Sequence, residues 1–219
     1  MTRPTRTSFS ALTTFEACPL SYELHYMGGH RSEAGPAAQR GTRLHTACER
    51  FIKGEIELQQ LSIDFFKIKA QLHIMKECGA KAEEVWLVSD DPWGMQDVED
   101  GNTRFMAIVD LHYVIGPTLF VRDLKTGRRY PEHDDQLQAY ALAGLMKYPE
   151  VENVDVGALY LEGPAPSTVY PRAMLPHLQA FWKGRWELLF QAEEFPATPS
   201  QDACRYCKYP QMGLCDTGK

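Results

Sequence analysis

Two apolar segments near the middle of the chain constrain its fold more than any other feature. Residues 104–115 and 118–124 are rich in β-branched and aromatic side chains, and the dipeptide Gly116-Pro117 separates them. This pattern predicts two strands joined by a tight turn. The strand pair therefore lies at the centre of the predicted sheet.

Helical patterns surround this strand pair. Apolar residues recur at helical spacing before and after it, and shorter apolar runs predict further strands. The order indicates an α/β fold with helices first, a mixed sheet in the middle, a helix packed on the sheet and an irregular cysteine-rich tail. The predicted helices are 10–27, 42–54, 62–77, 134–146 and 174–193, the additional strands are 84–88, 154–162 and 168–171, and 28–40 and 92–94 are a loop and a turn.

Composition limits the classes of protein that the chain can belong to. Its 219 residues, 44% of them apolar, suit one domain with a packed core. The net charge of −6 argues against a protein that coats nucleic acid non-specifically, because such proteins carry a basic surface. A nuclease stays compatible, since it needs carboxylates for a cation and positive charge only along the substrate path. Two local basic clusters contain Arg31, Arg40 and Arg43, and Lys125, Arg128 and Arg129.

The cellular compartment bears on how the cysteines are used. The first ten residues are basic without the apolar segment of a secretory signal, and no run of about 18 apolar residues predicts a membrane span. We therefore expect a cytoplasmic protein, in which disulfides are rare. The six cysteines then point first to metal binding.

Two aspartates lie on the predicted strand pair. Asp110 interrupts the apolar run of the first strand, and Asp123 lies near the end of the second. Pairing of the strands brings the carboxylates together, where they repel each other unless a cation lies between them. Such oxygen ligands suit Mg²⁺ or Mn²⁺. Lys125, two residues after Asp123, projects from the same strand face and is placed to stabilise charge on a scissile phosphate.

A solvated turn is the competing interpretation of this pattern. Most Asp-x-Lys sequences at the end of a strand are polar loop ends with no further role. Asp110 argues against that interpretation, because an aspartate between Val109 and Leu111 has to be paired or metal-bound if it is buried.

Three more polar residues are weak signals when each is taken alone. His45 lies on the second predicted helix, where a lone histidine is more often a surface or core residue. Gln136 and Tyr140 are four residues apart on a later helix, so their polar ends share one face. Aromatic residues of the first helix, Tyr22 and Tyr26, are candidates for base stacking or for the core.

The cysteine-rich tail is a stronger signal. Cys204 and Cys207 have the spacing of two thiolates that bind one metal, and Cys215 follows within the same short segment. Cys18, near the other end of the chain, is our choice of fourth ligand. Zinc and iron–sulfur both accept four thiolates, so the residues alone leave the metal open. The remaining cysteines, Cys48 and Cys78, fit amphipathic helices and are predicted to lie in the core.

In this order the residues resemble one family. The set is similar to the RecB-like branch of the PD-(D/E)XK nuclease superfamily, and within it to the iron–sulfur members: CRISPR-associated RecB-like exonucleases, the nuclease domain of AddB and related phage exonucleases. The resemblance spans residues 8–215. Its motifs are Cys18-Pro19, Gly41-x₃-His45, Ile108-Val-Asp110, Asp123-Leu-Lys-Thr-Gly127, Gln136-x₃-Tyr140 and Cys204-x₂-Cys207-x₇-Cys215.

The resemblance implies a role for each matching residue. A catalytic Mg²⁺ or Mn²⁺ would be held by the side chains of His45, Asp110 and Asp123 and by the Leu124 carbonyl, with Lys125 as the catalytic lysine. Asp123 stands where some relatives have Glu. Contacts to DNA and support of the site are implied for Gln136, Tyr140, Arg43 and Arg128, and a structural 4Fe–4S cluster for Cys18, Cys204, Cys207 and Cys215.

The function expected from the sequence is metal-dependent hydrolysis of DNA from an end. The chain would form one nuclease domain over 1–219, with a restriction-endonuclease-like core at 83–195, a helical arch at 8–78 that favours a single-stranded end, and a tail at 196–219 joined to Cys18 by the metal cluster. Expected partners are DNA and recombination or replication proteins. The absence of a G-x₄-G-K-[ST] phosphate loop argues against an ATP-driven helicase. Two alternatives stay open, a non-catalytic DNA-binding or assembly subunit and a zinc-ribbon adaptor.

Overall fold

A single mixed sheet organises the protein. The computed structural model describes residues 4–31, 33–97 and 101–217. Within these ranges, eight strands pair in the order β3-β2-β4-β5-β6-β7, with β1 added to β4 and β8 added to β6. The β1–β4 and β5–β6 pairs are parallel, and the other pairs are antiparallel. The strands are β1 Thr7–Ser8, β2 Lys81–Asp90, β3 Trp93–Gln96, β4 Thr103–Ile115, β5 Thr118–Lys125, β6 Asn153–Tyr160, β7 Gly163–Pro164 and β8 Thr168–Pro171.

Helices cover both faces of the sheet. One face packs on helices α1, α5 and α6, where indole and phenyl rings such as Trp86, Phe105 and Trp182 are fully buried. The other face packs on α3 and α4 through Leu111 and Leu124. The helices are α1 Phe9–Ala17, α2 Pro19–Tyr22, a π-helix at Glu23–Met27, α3 Pro36–Ile52, α4 Lys69–Glu77, α5 Glu132–Lys147, α6 Leu175–Gln191 and α7 Gln201–Arg205, with 3₁₀ turns at Leu58–Gln60, Ile63–Phe65 and Arg172–Met174.

The predicted α/β class with a mixed sheet flanked by helices is confirmed. The central hairpin is also as predicted, since β4 and β5 pair in antiparallel fashion across the turn at Gly116-Pro117. The order of elements matches the expectation of helices first and a packed helix after the sheet.

Four predicted boundaries are wrong. The third helix, predicted over 62–77, begins only at Lys69, after a 3₁₀ turn at Ile63–Phe65. The first helix is not continuous, because Cys18 is extended (φ −162°, ψ 105°) ahead of Pro19, and a residue before proline disfavours the helical conformation. The second helix begins at Pro36, inside the predicted loop, because proline is well suited to the first turn of a helix. The predicted turn at 92–94 largely belongs to β3, which pairs with β2.

The predicted division into 8–78, 83–195 and 196–219 stays a prediction. Residues 1–3, 32, 98–100, 218 and 219 of that proposed domain lie outside the described residues. Within the described part of the chain, no helix is both long enough and apolar enough to cross a bilayer.

Candidate active site

Strands β4 and β5 bring Asp110 and Asp123 to one cleft of about 410 Å³. The carboxylate of Asp110 is tied to the neighbouring strand, because its Oδ2 accepts a hydrogen bond of 2.7 Å from the backbone N–H of Leu124. Asp123 lies deeper, with only 4% of its surface exposed. The other sequence-predicted residues that line this cleft are His45, Leu124, Lys125, Arg128, Gln136 and Tyr140.

Helix α3 carries His45 to the edge of the cleft. The His45 Nδ1 atom is 3.0 Å from Asp110 Oδ1. Gly41, one turn earlier, permits this approach, because a Cβ at that position would lie 3.3 Å from the Thr126 hydroxyl. Burial lowers the pKa of His45, but the hydrogen bond and the charge of Asp110 outweigh burial and raise it. The imidazole and the carboxylate therefore form a charge-assisted pair.

Lys125 lies against the buried aspartate. Its Nζ atom is 2.6 Å from Asp123 Oδ2 and donates a hydrogen bond of the same length to Gln136 Oε1. Burial and the nearby charge of Asp110 raise the pKa of Asp123 to about 6, although Lys125 opposes the shift. The two carboxylates repel each other, and a divalent cation between them would offset that repulsion.

Gln136 and Tyr140 support Lys125 from helix α5. The Gln136 amide donates to the Tyr140 hydroxyl (2.7 Å), and that hydroxyl donates to the carbonyl of Ile108 on β4 (2.8 Å). Burial, together with the charges of both aspartates, raises the pKa of Tyr140 well above its usual value, so the hydroxyl stays protonated. A chain of hydrogen bonds thus joins the lysine to the strand that carries Asp110.

Replacing Tyr140 with phenylalanine is expected to lower kcat by about tenfold to a hundredfold with little change in KM. The change removes the hydrogen bond between Gln136 and the Tyr140 hydroxyl, so Gln136 no longer fixes the position of Lys125. A displacement of a reacting group by about 1 Å lowers a catalytic rate by this order. Steady-state kinetics measure both constants. Tyr170→Phe is the matched control, because Tyr170 is a part-buried tyrosine on β8 that does not line the cleft. Equal loss of kcat in both variants would contradict the role given to Tyr140.

The two predicted arginines lie in different places. Arg128 is exposed and lines the cleft that contains Asp110 and Asp123. Arg43 lines a separate cleft with Thr42 and Arg50 on the other side of α3. Arg43 and His45 are two positions apart on the helix, so their side chains point roughly 200° apart. Because His45 faces the aspartates, Arg43 points away from them. The placement of Arg43 does not support the predicted contact with DNA at this cleft.

Two groups at the site were not singled out from the sequence. His133 lines the cleft, and its Nδ1 is 2.7 Å from the Tyr160 hydroxyl. Its position three residues before Gln136, on the same helix face, was the available signal. Glu49 and Glu83 line a small cavity beside His45 and Asp110, and a hydrogen bond that the Glu83 carboxyl donates to Glu49 raises the pKa of Glu83.

The side chains in the cleft are paired with one another. His45 is bonded to Asp110 and Lys125 to Asp123, and within 4–31, 33–97 and 101–217 no three His, Cys, Asp or Glu side chains are arranged to hold a metal ion. The chemistry of the set nevertheless fits Mg²⁺ or Mn²⁺, which take carboxylate oxygens. The raised pKa of Asp123 shows that its negative charge is unfavourable in this cleft, and a bound cation would stabilise that charge.

The tail lies beside Cys18. The backbone N–H of Leu20 donates to the carbonyl of Pro196 (3.2 Å), and the Thr198 hydroxyl donates to the carbonyl of Ala17 (3.1 Å). Cys18 and Cys207 line a common cleft of about 580 Å³. The thiols predicted as ligands are all partly exposed: Cys18, Cys204, Cys207 and Cys215.

The remaining cysteines follow the prediction in part. Cys48 is buried in the core under α3, and burial raises the pKa of its thiol to about 12. Cys78 is partly exposed, because it lies at the end of α4 rather than on its buried face.

Comparison with known proteins identifies the class. Residues 6–212 match the PD-(D/E)XK nuclease superfamily. The chain therefore belongs to that superfamily, whose members are nucleases. A search of curated proteins gave no significant match.

Two solved structures share the fold at low sequence identity. The crystal structure of SSO0001 has a TM-score of 0.51 and 17% identity, over 100% of this chain and 90% of the other. A candidate exonuclease from Eubacterium rectale has a TM-score of 0.52 and 13% identity, over 97% of this chain and 89% of the other. At this identity the similarity establishes the fold alone.

Proposed function

We propose that the protein is a divalent-metal-dependent DNA exonuclease that acts on single-stranded ends. The observation that carries the proposal is the meeting of Asp110, Asp123 and Lys125 in one cleft of a PD-(D/E)XK chain. The candidate exonuclease from Eubacterium rectale, which shares the fold, supports the same activity. The pathway proposed is DNA recombination, repair or processing, with recombination or replication proteins as partners.

The residues of the cleft have separate parts in the reaction. His45, Asp110, Asp123 and the Leu124 carbonyl would hold Mg²⁺ or Mn²⁺. When bound, the cation polarises the phosphate and lowers the pKa of a water molecule. Lys125 supplies a fixed positive charge where negative charge develops on the phosphate oxygens.

The supporting residues keep that charge in place. Gln136 and Tyr140 hold the Lys125 ammonium group, so no reorganisation is needed when the phosphate becomes more negative. Arg128, exposed at the rim, is placed to contact the DNA backbone.

Lys125→Ala is expected to lower the cleavage rate by about 10² to 10³-fold, the usual effect of removing one charge-stabilising group. Single strands labelled at the 5′ or 3′ end are incubated with Mn²⁺, Mg²⁺ or EDTA, with release of mononucleotides distinguishing an exonuclease from an endonuclease. Lys147→Ala is the control, since Lys147 pairs with Glu84 away from the cleft. Cleavage in EDTA, or equal rates for Lys125→Ala and the wild type, would contradict the proposal.

A 4Fe–4S cluster held by Cys18, Cys204, Cys207 and Cys215 is the second part of the proposal. Support comes from the common cleft of Cys18 and Cys207 and from the backbone contacts that hold the tail against α1 and α2. The spacing of Cys204 and Cys207 suits two ligands of one centre. Zinc is the alternative occupant.

A non-catalytic DNA-binding or assembly subunit is the alternative function. The direct bond between His45 and Asp110 favours it, because two of the proposed metal ligands satisfy each other. The labelled-strand experiment separates the two functions, since such a subunit would bind the strand and leave it intact with either metal.

A further inference from the structure

A second cleft adjoins the catalytic cleft. It has a volume of about 590 Å³, and its lining includes Arg6, Tyr26 and Arg31. Ser8 and Met106 line both clefts, so the two clefts meet at these residues. We call this second cleft the entry groove.

Tyr26 is held firmly at the side of the entry groove. Its ring stacks on Tyr22, with centroids 5.1 Å apart and an interplanar angle of 27°. Tyr22 is only 3% exposed and stacks in turn on Phe195 at 5.9 Å and 16°. Tyr22 is thus a core residue, while Tyr26 is 38% exposed and presents an aromatic surface fixed by the rings beneath it. Its segment is a π-helix, a conformation often found at functional sites.

Cationic side chains line the entry groove. The residues that the structure describes along its wall include Arg6 and Arg31 and no carboxylate, although the chain has a net charge of −6. Arg31 is exposed. A surface that combines arginine with an aromatic ring is typical of sites that bind single-stranded nucleic acid, where bases stack and phosphates pair with cations.

The entry groove lies at a definite distance from the reacting groups. Met106 and Asp110 are four residues apart on β4, which corresponds to about 13 Å along a strand. At about 3.4 Å per stacked nucleotide, that separation spans up to about four nucleotides. A strand whose phosphate lies at Asp110 and Lys125 therefore reaches the groove a few nucleotides away from the bond that is cut.

We propose that the entry groove binds single-stranded DNA a few nucleotides from the scissile phosphate, with one base stacked on Tyr26 and a phosphate paired with Arg31. The proposal rests on the proposed nuclease function for its orientation relative to the cut. A single strand is the occupant, because a base paired within a duplex has both faces covered by its neighbours and cannot stack on a protein ring.

Tyr26→Ala is expected to weaken binding of a labelled single-stranded 20-mer about tenfold in EDTA, within the range for loss of one stacked base. Fluorescence anisotropy measures this affinity. Tyr26→Phe should restore it, because the ring is kept. Arg31→Ala should lower the affinity and reduce its dependence on salt. The matched controls are Phe66→Ala, an exposed aromatic residue elsewhere, and Arg50→Ala, which lies outside the groove.

Cleavage kinetics locate the effect relative to the cut. With the 20-mer, Tyr26→Ala should raise KM about tenfold at unchanged kcat, as expected for loss of one stacked base. With a dinucleotide, which is too short to reach the groove from the reacting groups, KM should not change. The proposed binding of DNA in the entry groove would be contradicted if Tyr26→Ala bound the 20-mer as tightly as the wild type, or if Phe66→Ala lost as much affinity as Tyr26→Ala. If the wild-type protein bound the 20-mer through Tyr26 without cutting it, the nuclease function would be contradicted and the proposed DNA binding in the entry groove would stand.

Discussion

Replacing Asp123 with asparagine is expected to abolish cleavage and to raise the melting temperature of the metal-free protein. The loss of activity, of at least about 10³-fold, follows because the change removes a proposed ligand of the cation. The gain in stability follows from burial, since the carboxylate is ionised at neutral pH in a place that favours its neutral form.

The pH dependence of stability has a definite sign. The pKa of Asp123 is about 6 in the folded protein and 3.8 ordinarily, so the folded state binds this proton more tightly than the unfolded chain. Its contribution to the free energy of unfolding is greatest below about pH 4, falls as the pH rises to about 6 and is constant above that. The loss amounts to at most about 3 kcal/mol, because one pKa unit corresponds to about 1.4 kcal/mol.

Thermal unfolding in EDTA between pH 4 and pH 8 measures both effects. The wild-type Tm should fall between pH 4 and pH 6 by more than the Tm of Asp123→Asn, and Mn²⁺ should raise the Tm of the wild type alone. Asp155→Asn is the matched control, because Asp155 is a part-buried carboxylate paired with Arg122 at 2.9 Å, and its loss should lower the Tm. A lower Tm for Asp123→Asn at pH 7 would contradict the electrostatic description of the site.

Replacing Cys207 with serine is expected to remove the metal centre and to destabilise the protein by up to about 5 kcal/mol. A centre shared by Cys18 and Cys207 closes a loop of nearly the whole chain, and a cross-link of that span restricts the unfolded state by about this amount. Anaerobically purified wild-type protein should be brown, with absorbance near 400 nm, roughly where thiolate-to-iron charge transfer lies.

The control for this experiment is Cys78→Ser. Cys78 is free and partly exposed, and it lies outside the cleft that contains Cys18 and Cys207. Its replacement should leave iron content and colour unchanged. Iron and zinc analysis of the wild type and both variants identifies the metal. Zinc in colourless wild-type protein would show that the centre is a zinc site and not an iron–sulfur cluster. Wild-type protein that contains no iron and no zinc would contradict this part of the proposal.

The sheet and the acidic pair were predictable because their signals are local. Gly116-Pro117 fixes the hairpin, and the hairpin brings Asp110 and Asp123 to one cleft. The spacing of Gln136 and Tyr140 likewise fixes their common face. Backbone geometry alone sets the relative positions of residues within one helix or one hairpin.

The remaining features depend on contacts between distant residues. His45 and Asp110 are 65 positions apart, and only the packing of α3 on the sheet decides that they meet. Tyr22 was ambiguous for the same reason, since Phe195, which covers it, lies at the other end of the chain. The break at Cys18 is different, because its signal is local. Pro19 disfavours the helical conformation at the residue before it, although the apolar residues continue at helical spacing across this point.

The contact between the early helices and the tail sets an order of events during synthesis. Ala17 and Thr198 are 181 positions apart, so a ribosome adding about 5–20 residues per second needs roughly 10 to 40 seconds to deliver the second after the first. During that interval Phe15 and Tyr22 lack Phe195, the ring that packs on both. We expect the nascent chain to present an uncovered aromatic surface that a holding chaperone would recognise until Phe195 emerges.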